Sequence, residues 1–242
     1  MARSKYKRRI ASFALKALCG IVIAAVVGLL LWRMIDNLID PQIMNTVVAN
    51  EALAEAYAEK GDKLDAYYQE HSKFTRGDTN YGYFAITQSL IISDIDQVQF
   101  VMRYNNSTLE HTKNDYKLDE IPSRDDNVYV VILTAMYDLT PENKSDNDGK
   151  TPDAVKYETV GTQSFCIKAK KTLYNYRKYV FDGVKIDNSV IAIYADFYYI
   201  DDFNLDEKPY GSLLIYHCDE QKFDYNFSSD DIKALKSYKG GS

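Results

Sequence analysis

The sequence predicts a mainly β protein, in which an N-terminal transmembrane helix and a helical stalk precede an antiparallel β-sandwich of immunoglobulin-like or C2-like type and a short C-terminal helix. Two observations carry this prediction. One long apolar run lies near the N-terminus, and the second half of the chain holds many short runs of β-branched and aromatic residues between turn residues. The chain has 242 residues, of which 46% are hydrophobic, so it can bury a core of ordinary size.

Charge is distributed unevenly along the chain. The first 33 residues hold seven of the 29 Lys and Arg residues and no acid. The remaining residues therefore carry 22 cations against 35 acids, a net charge of −13. A domain with this charge repels phosphate groups, so we do not expect nucleic-acid binding.

The apolar run predicts a membrane anchor over residues 10–35, behind a basic cytoplasmic tail over residues 1–9. The flanking charges place the N-terminus in the cytoplasm and the rest of the chain outside. A cleaved signal peptide is the alternative. We favour the anchor, because the run ends on Leu-Leu-Trp-Arg-Met without a small-x-small cleavage motif.

Three small residues, Gly20, Ala24 and Gly28, recur every four positions in this run. Such spacing puts them on one helix face, where another helix can approach closely. We expect pairing with a second copy or a membrane partner through this face, although Gly and Ala are also common in any spanning helix.

Residues 36–82 predict a helical stalk, since apolar residues recur there at helical spacing with a break at Gly61-Asp62. Residues 83–228 predict the extracytoplasmic sandwich. In the strand at 97–104, Val98 and its alternate neighbours face the core while Gln97 and Gln99 face water.

Two further runs, residues 128–139 and 190–200, are apolar on both alternations. This indicates central strands, with the core on one side and a covering element or partner on the other. Residues 229–242 predict the C-terminal helix and tail, with Ser229 as the helix cap.

No catalytic residues, metal site or cofactor are predicted. The three histidines, His71, His111 and His217, lack the spacing that gathers two imidazoles on a metal. His217 is adjacent to Cys218, but neighbours on a strand face opposite sides. The alternation also disfavours a disulfide between Cys166 and Cys218, although an oxidising compartment would permit one.

Acidic pairs recur at predicted turns. They are compatible with calcium binding, but solvated turn residues explain them more simply. A carboxylate-dependent hydrolase of cell-surface polymers would need two of these acids in one cleft, and is therefore the weakest of three functional readings.

The distinctive feature is tyrosine, with 21 copies. Tyrosine combines a rigid apolar ring with a hydrogen-bonding tip, which suits protein interfaces and sugar stacking. The predicted binding surface comprises Tyr174, Tyr176, Arg177, Tyr179 and Tyr198. Structural packing of these rings is the competing interpretation.

The sequence thus favours a non-catalytic binding or scaffolding module of the cell envelope. The alternative is a subunit of a larger membrane assembly. The expected partners are the membrane, a protein or a second copy, and a cell-surface glycan. The layout is similar to that of many bacterial envelope proteins, so the expected location is the bacterial plasma membrane.

Overall fold

The computed structural model describes residues 2–38, 41–69, 84–138 and 155–238. The chain divides into two units, Met1–Asp40 and Pro41–Ser242. The first unit contains helix α1 (Ala2–Leu38), within which Lys16–Ile35 is long and apolar enough to cross a membrane. A signal sequence would share both properties.

The second unit is mainly β. Its helices are α2 (Gln42–Asn45), α3 (Glu51–Lys60), α4 (Asn106–Asp115) and α5 (Ser229–Ser237). Its strands are β1 (Ala66–Gln69), β2 (Phe84–Ile92), β3 (Gln97–Asn105), β4 (Tyr129–Asp138), β5 (Val155–Thr159), β6 (Thr162–Lys170), β7 (Tyr174–Asp182), β8 (Val190–Tyr199), β9 (Gly211–His217) and β10 (Lys222–Asp224).

The strands form two antiparallel sheets. Sheet A has the order β10-β1-β2-β3-β7-β6, and sheet B has the order β5-β4-β8-β9. The chain alternates between the sheets in two-stranded hairpins, so that β3 pairs with β7 in one sheet while β4 pairs with β8 in the other. The predicted central strands are thus confirmed as the two inner strands of sheet B.

Both sheets contribute to one hydrophobic core. Phe100 and Phe181 from sheet A and Leu133, Phe197 and Ile215 from sheet B belong to the same buried cluster. The mainly β prediction is therefore confirmed as two packed antiparallel sheets. The immunoglobulin-like or C2-like type stays a prediction.

The link between β5 and β6 carries the chain from sheet B to sheet A in two residues. Gly161 takes a φ of +68° there, and a Cβ at this position would lie 2.5 Å from Val184 Cγ2. Glycine is therefore required by both the backbone conformation and the space.

The outward face of sheet A is covered. Residues 41–49, which we call the N-terminal strap, place Met44 against Val101 and Tyr176. Helices α3 and α5 contribute Leu53 and Leu235 to a second cluster on this side of the sheet.

The covering layer corrects two expectations. Residues 41–69 do not form the predicted stalk, because they pack within the second unit and supply strand β1. The predicted water-facing side of β3 is buried as well, with Gln97 and Gln99 each 1% exposed. Helical spacing shows that a segment has an apolar side but does not tell where that side packs.

Local capping explains where these helices begin. The Asn50 side chain accepts a hydrogen bond from the Leu53 amide at the start of α3. At α5 the cap is Ser228 rather than the predicted Ser229, and Asp231 completes a reciprocal capping box.

Candidate functional site

Three buried polar side chains hold the strap on sheet A. Gln99 on β3 pairs with the backbone of Val48, accepting from its amide at 2.8 Å and donating to its carbonyl at 2.9 Å. The side-chain amide thereby replaces a strand partner for that residue. Gln97 extends the network by accepting from Gln99 and donating to Asp182.

Lys178 on β7 is 3% exposed and donates to the carbonyls of Met44 at 3.1 Å and Thr46 at 2.5 Å. Burial lowers the pKa of Lys178 to about 8, and the charge of Asp231 opposes that shift. A buried ammonium group is costly unless it is hydrogen-bonded, so the strap carbonyls are necessary partners.

Asp231 joins the strap to the C-terminal helix. Its fully buried carboxylate accepts from the Val47 amide at 2.7 Å and from the Ser228 amide and hydroxyl, both at 2.8 Å. The Tyr225 hydroxyl donates to the same carboxylate at 3.0 Å. One acid therefore fixes the strap and the start of α5 together.

The predicted tyrosine surface is not a single exposed surface. On β7, Tyr176 faces outward but is fully buried beneath the strap, and Tyr179 lies in the core, 5.3 Å from the Phe100 ring centroid. Tyr174 is half-buried with the Arg103 guanidinium 4.5 Å above its ring.

Arg177 is buried between the sheets and the loop before β4. It donates to the carbonyls of Arg124 at 2.9 Å and Asp126 at 3.1 Å, and lies 5.6 Å from the Tyr104 ring. Tyr198 belongs to the other sheet, where its ring contacts Phe203 at 5.3 Å. The structure therefore does not bring the five predicted residues together at one surface.

Tyrosine is abundant in this protein partly because it builds the core. The rings of Tyr104, Tyr129 and Tyr210 each contact Phe84, and Tyr129 stacks on Tyr210 and meets Tyr104 edge-on. Burial raises the pKa of Tyr129, whose hydroxyl forms a hydrogen bond of 2.7 Å with Thr112 on α4. For these three tyrosines, packing in the core is therefore the correct interpretation.

The outward face of sheet B differs from that of sheet A. None of the hydrophobic clusters formed by the described residues includes a side chain from it. We call this surface the B face. By strand register it comprises Val130, Ile132, Thr134, Met136, Val155, Tyr157, Thr159, Ala192, Tyr194, Asp196, Tyr198, Ser212, Leu214 and His217.

The B face is mainly apolar, and part of it, including Ala192, Tyr198 and Leu214, is already buried in this structure. Val155 and Tyr157 on the edge strand are 40% and 44% exposed, and Ile132 and Met136 are half-buried. Asp196 accepts a hydrogen bond from Ser212, and both side chains are buried. The two-sided apolar pattern of β4 and β8 predicted this face.

A cleft of about 470 Å³ opens where β1 and β2 diverge. These strands pair only from Ala66 and Tyr67 to the end of β2. The cleft is lined by Tyr68, Gln69, Ile86, Thr87, Gln88, Ser89 and Tyr225. Within the described part of the chain, Thr87 Oγ1 and Gln88 Oε1 are buried there without a hydrogen-bond partner.

The remaining predicted features lie on separate parts of the molecule. Gly20, Ala24 and Gly28 are exposed along α1, and a Cβ added at either glycine would meet no atom within 4 Å. Cys166 and Cys218 are free thiols, the first half-buried on β6 and the second exposed after β9. His71 and the acidic loop at 141–152 lie outside the described residues.

Comparison with family models, curated proteins and solved structures gives no match.

Proposed function

We propose that this protein is a single-pass membrane protein of the bacterial envelope whose β domain lies outside the cytoplasm and binds a protein partner through the B face, without catalysis. The observation that carries the proposal is the difference between the two outward sheet faces. Strap and helices cover sheet A, whereas the B face presents apolar side chains to which no described helix is packed.

The composition of the B face favours a protein partner. Tyr157, which is 44% exposed, and the half-buried Tyr194 supply large rings with polar tips, which are enriched where proteins bind one another. Burial of this face against a partner supplies binding energy.

The N-terminal segment supports the location. Five Lys and Arg residues precede the apolar run, and Asp36 and Asp40 follow it, so the positive-inside rule directs the β domain outward. The missing cleavage motif supports an uncleaved anchor over a signal peptide. A partner would then be held at the membrane surface.

Site-specific photocrosslinking in living cells tests the proposal. A photoreactive phenylalanine analogue in place of Tyr157 crosslinks any protein that contacts the B face. The same residue at Leu173, which is 55% exposed in the turn between β6 and β7, is the matched control. We expect one protein adduct from position 157 that Ile132→Lys abolishes, and no such adduct from position 173.

Equal adducts from both positions, or none from position 157, would overturn the proposal. The larger-assembly alternative makes a different prediction. If Gly28→Leu removes the adduct and Ile132→Lys does not, the small-residue face of α1 recruits the partner, and the B face is secondary.

The cleft between β1 and β2 favours a second candidate function, which is binding of a cell-surface glycan. Tyr68 and Tyr225 offer rings for sugar stacking, and the unpaired oxygens of Thr87 and Gln88 suit hydroxyl groups. Sedimentation of the protein with purified cell wall tests this reading. Tyr68→Ala should reduce the bound fraction at least fivefold, whereas Ile132→Lys should not.

A further inference from the structure

The end of β9 brings together three different metal-ligating side chains. Donor atoms of His217, Cys218 and Asp219 all lie within 4.8 Å of one another, and His217 Nδ1 is 3.9 Å from the nearer carboxylate oxygen of Asp219. The strand ends at His217, so Cys218 and Asp219 belong to the following turn. Strand alternation, which argued against this grouping in the sequence, does not apply beyond that residue.

The Asp219 amide donates to His217 Nδ1 at 3.2 Å within the group, and the rest of the backbone of this turn is held from outside it. Gln69, itself 4% exposed, donates to the carbonyls of His217 at 2.9 Å and Glu220 at 3.0 Å, and accepts from the His217 amide at 2.9 Å. The Cys218 amide donates to the Ile191 carbonyl at 2.8 Å. The main chain is thus fixed on two sides while the three side chains reach solvent.

Imidazole, thiolate and carboxylate together are a donor set for zinc. Zinc binds nitrogen and oxygen at about 2.0–2.1 Å and thiolate sulfur at about 2.3 Å, which places the donors of a tetrahedral site about 3–4 Å apart. The present separations exceed that range by about 1 Å at most, and rotation of exposed side chains closes such a difference.

We propose that His217, Cys218 and Asp219 bind a zinc ion, with water in the remaining coordination position. Binding replaces the thiol proton of Cys218 with a sulfur–zinc bond and releases that proton to solvent. Burial, and after it the charge of Asp219, raises the pKa of the Cys218 thiol, and a divalent cation would offset the effect of the carboxylate. The open coordination position also permits a donor from a bound partner.

Cobalt substitution tests the site in the purified full-length protein. Co²⁺ bound to a thiolate gives an intense near-ultraviolet charge-transfer band, which zinc should abolish by displacement. We expect this band in the wild type and in Cys166→Ser, and its loss in Cys218→Ser. The two serine variants make the same chemical change, so Cys166→Ser is the matched control.

A second variant and a second readout keep the test independent of folding. His217→Gln should weaken zinc binding at least tenfold in competition with a chromogenic chelator, with an unchanged circular dichroism spectrum. Saturating zinc should slow alkylation of Cys218 at least tenfold and leave that of Cys166 unchanged. A missing band in the wild type, a band that persists in Cys218→Ser, or equal affinity in His217→Gln would overturn the proposal.

Discussion

Asp231 is the side chain whose removal should most weaken attachment of the strap. The variant Asp231→Ala removes the acceptor of four hydrogen bonds and leaves the buried amide of Val47 and the amide of Ser228 without it. A buried donor without a partner costs about 1–3 kcal/mol, and a hydrogen bond to a charged group contributes about 1.5–3 kcal/mol. We expect the free energy of unfolding to fall by about 3–5 kcal/mol, out of a typical total of about 5–15 kcal/mol.

The assay combines two measurements on the full-length protein in detergent. Urea unfolding followed by circular dichroism gives the free energy, and hydrogen exchange at the Val47 amide reports whether the strap has detached. The control is Asp230→Ala, which removes the neighbouring exposed acid from the first turn of α5 and should cost less than about 1 kcal/mol.

A small loss of stability, confined to helix α5, would contradict this prediction. If Asp231→Ala costs less than about 1 kcal/mol, or leaves Val47 exchange equal to that of the Asp230→Ala control, the carboxylate does not hold the strap. A large loss of stability with unchanged Val47 exchange would show that Asp231 acts only as a cap of α5.

Three further predictions concern single residues. Lys178 has a folded-state pKa of about 8, below its unfolded value, so its charge destabilises the fold below pH 8 and this penalty disappears as pH rises toward 10. Between pH 7 and 10, the free energy of unfolding of the wild type, measured in urea, should therefore rise by about 2–3 kcal/mol relative to that of Lys178→Met. Parallel plots of the free energy of unfolding against pH for the two proteins would contradict this. After bound metal is removed with a membrane-impermeant chelator, a membrane-impermeant maleimide should label Cys218 on intact cells and spare the half-buried Cys166, whereas labelling of Cys218 only after lysis would reverse the proposed topology. Gly161→Ala should cost about 2–4 kcal/mol more than Gly183→Ala in thermal unfolding, because both have positive φ but only the first lacks space for a Cβ, and equal costs would exclude the clash.

The positions of the strands with the clearest patterns follow from the sequence, since alternation is a local property. The runs at 97–104, 128–139 and 190–200 correspond to β3, β4 and β8 and are predicted to within one residue of each end. Strands β1 and β5 and helix α4 are not predicted. Strand β5 is exposed along its whole length, so no apolar pattern marks it.

The candidate sites also differ in how far the sequence predicts them. The apolar character of the B face is visible as two strands that are hydrophobic on both alternations. The contacts that hold the strap are not visible, because each joins distant parts of the chain, with Val47 and Asp231 184 positions apart. A glutamine on a strand has the same local pattern whether it meets water or a buried backbone amide.

The apolar N-terminal helix and the mainly β character of the domain can be predicted from the sequence alone, because the length and period of a hydrophobic pattern are properties of neighbouring residues. The tertiary structure is needed to see that Gln99, Lys178 and Asp231 are buried, that the tyrosines of β7 are covered, and that no helix packs on one sheet face. Burial depends on which segments meet in space, and segments far apart in the chain carry no local mark of that meeting.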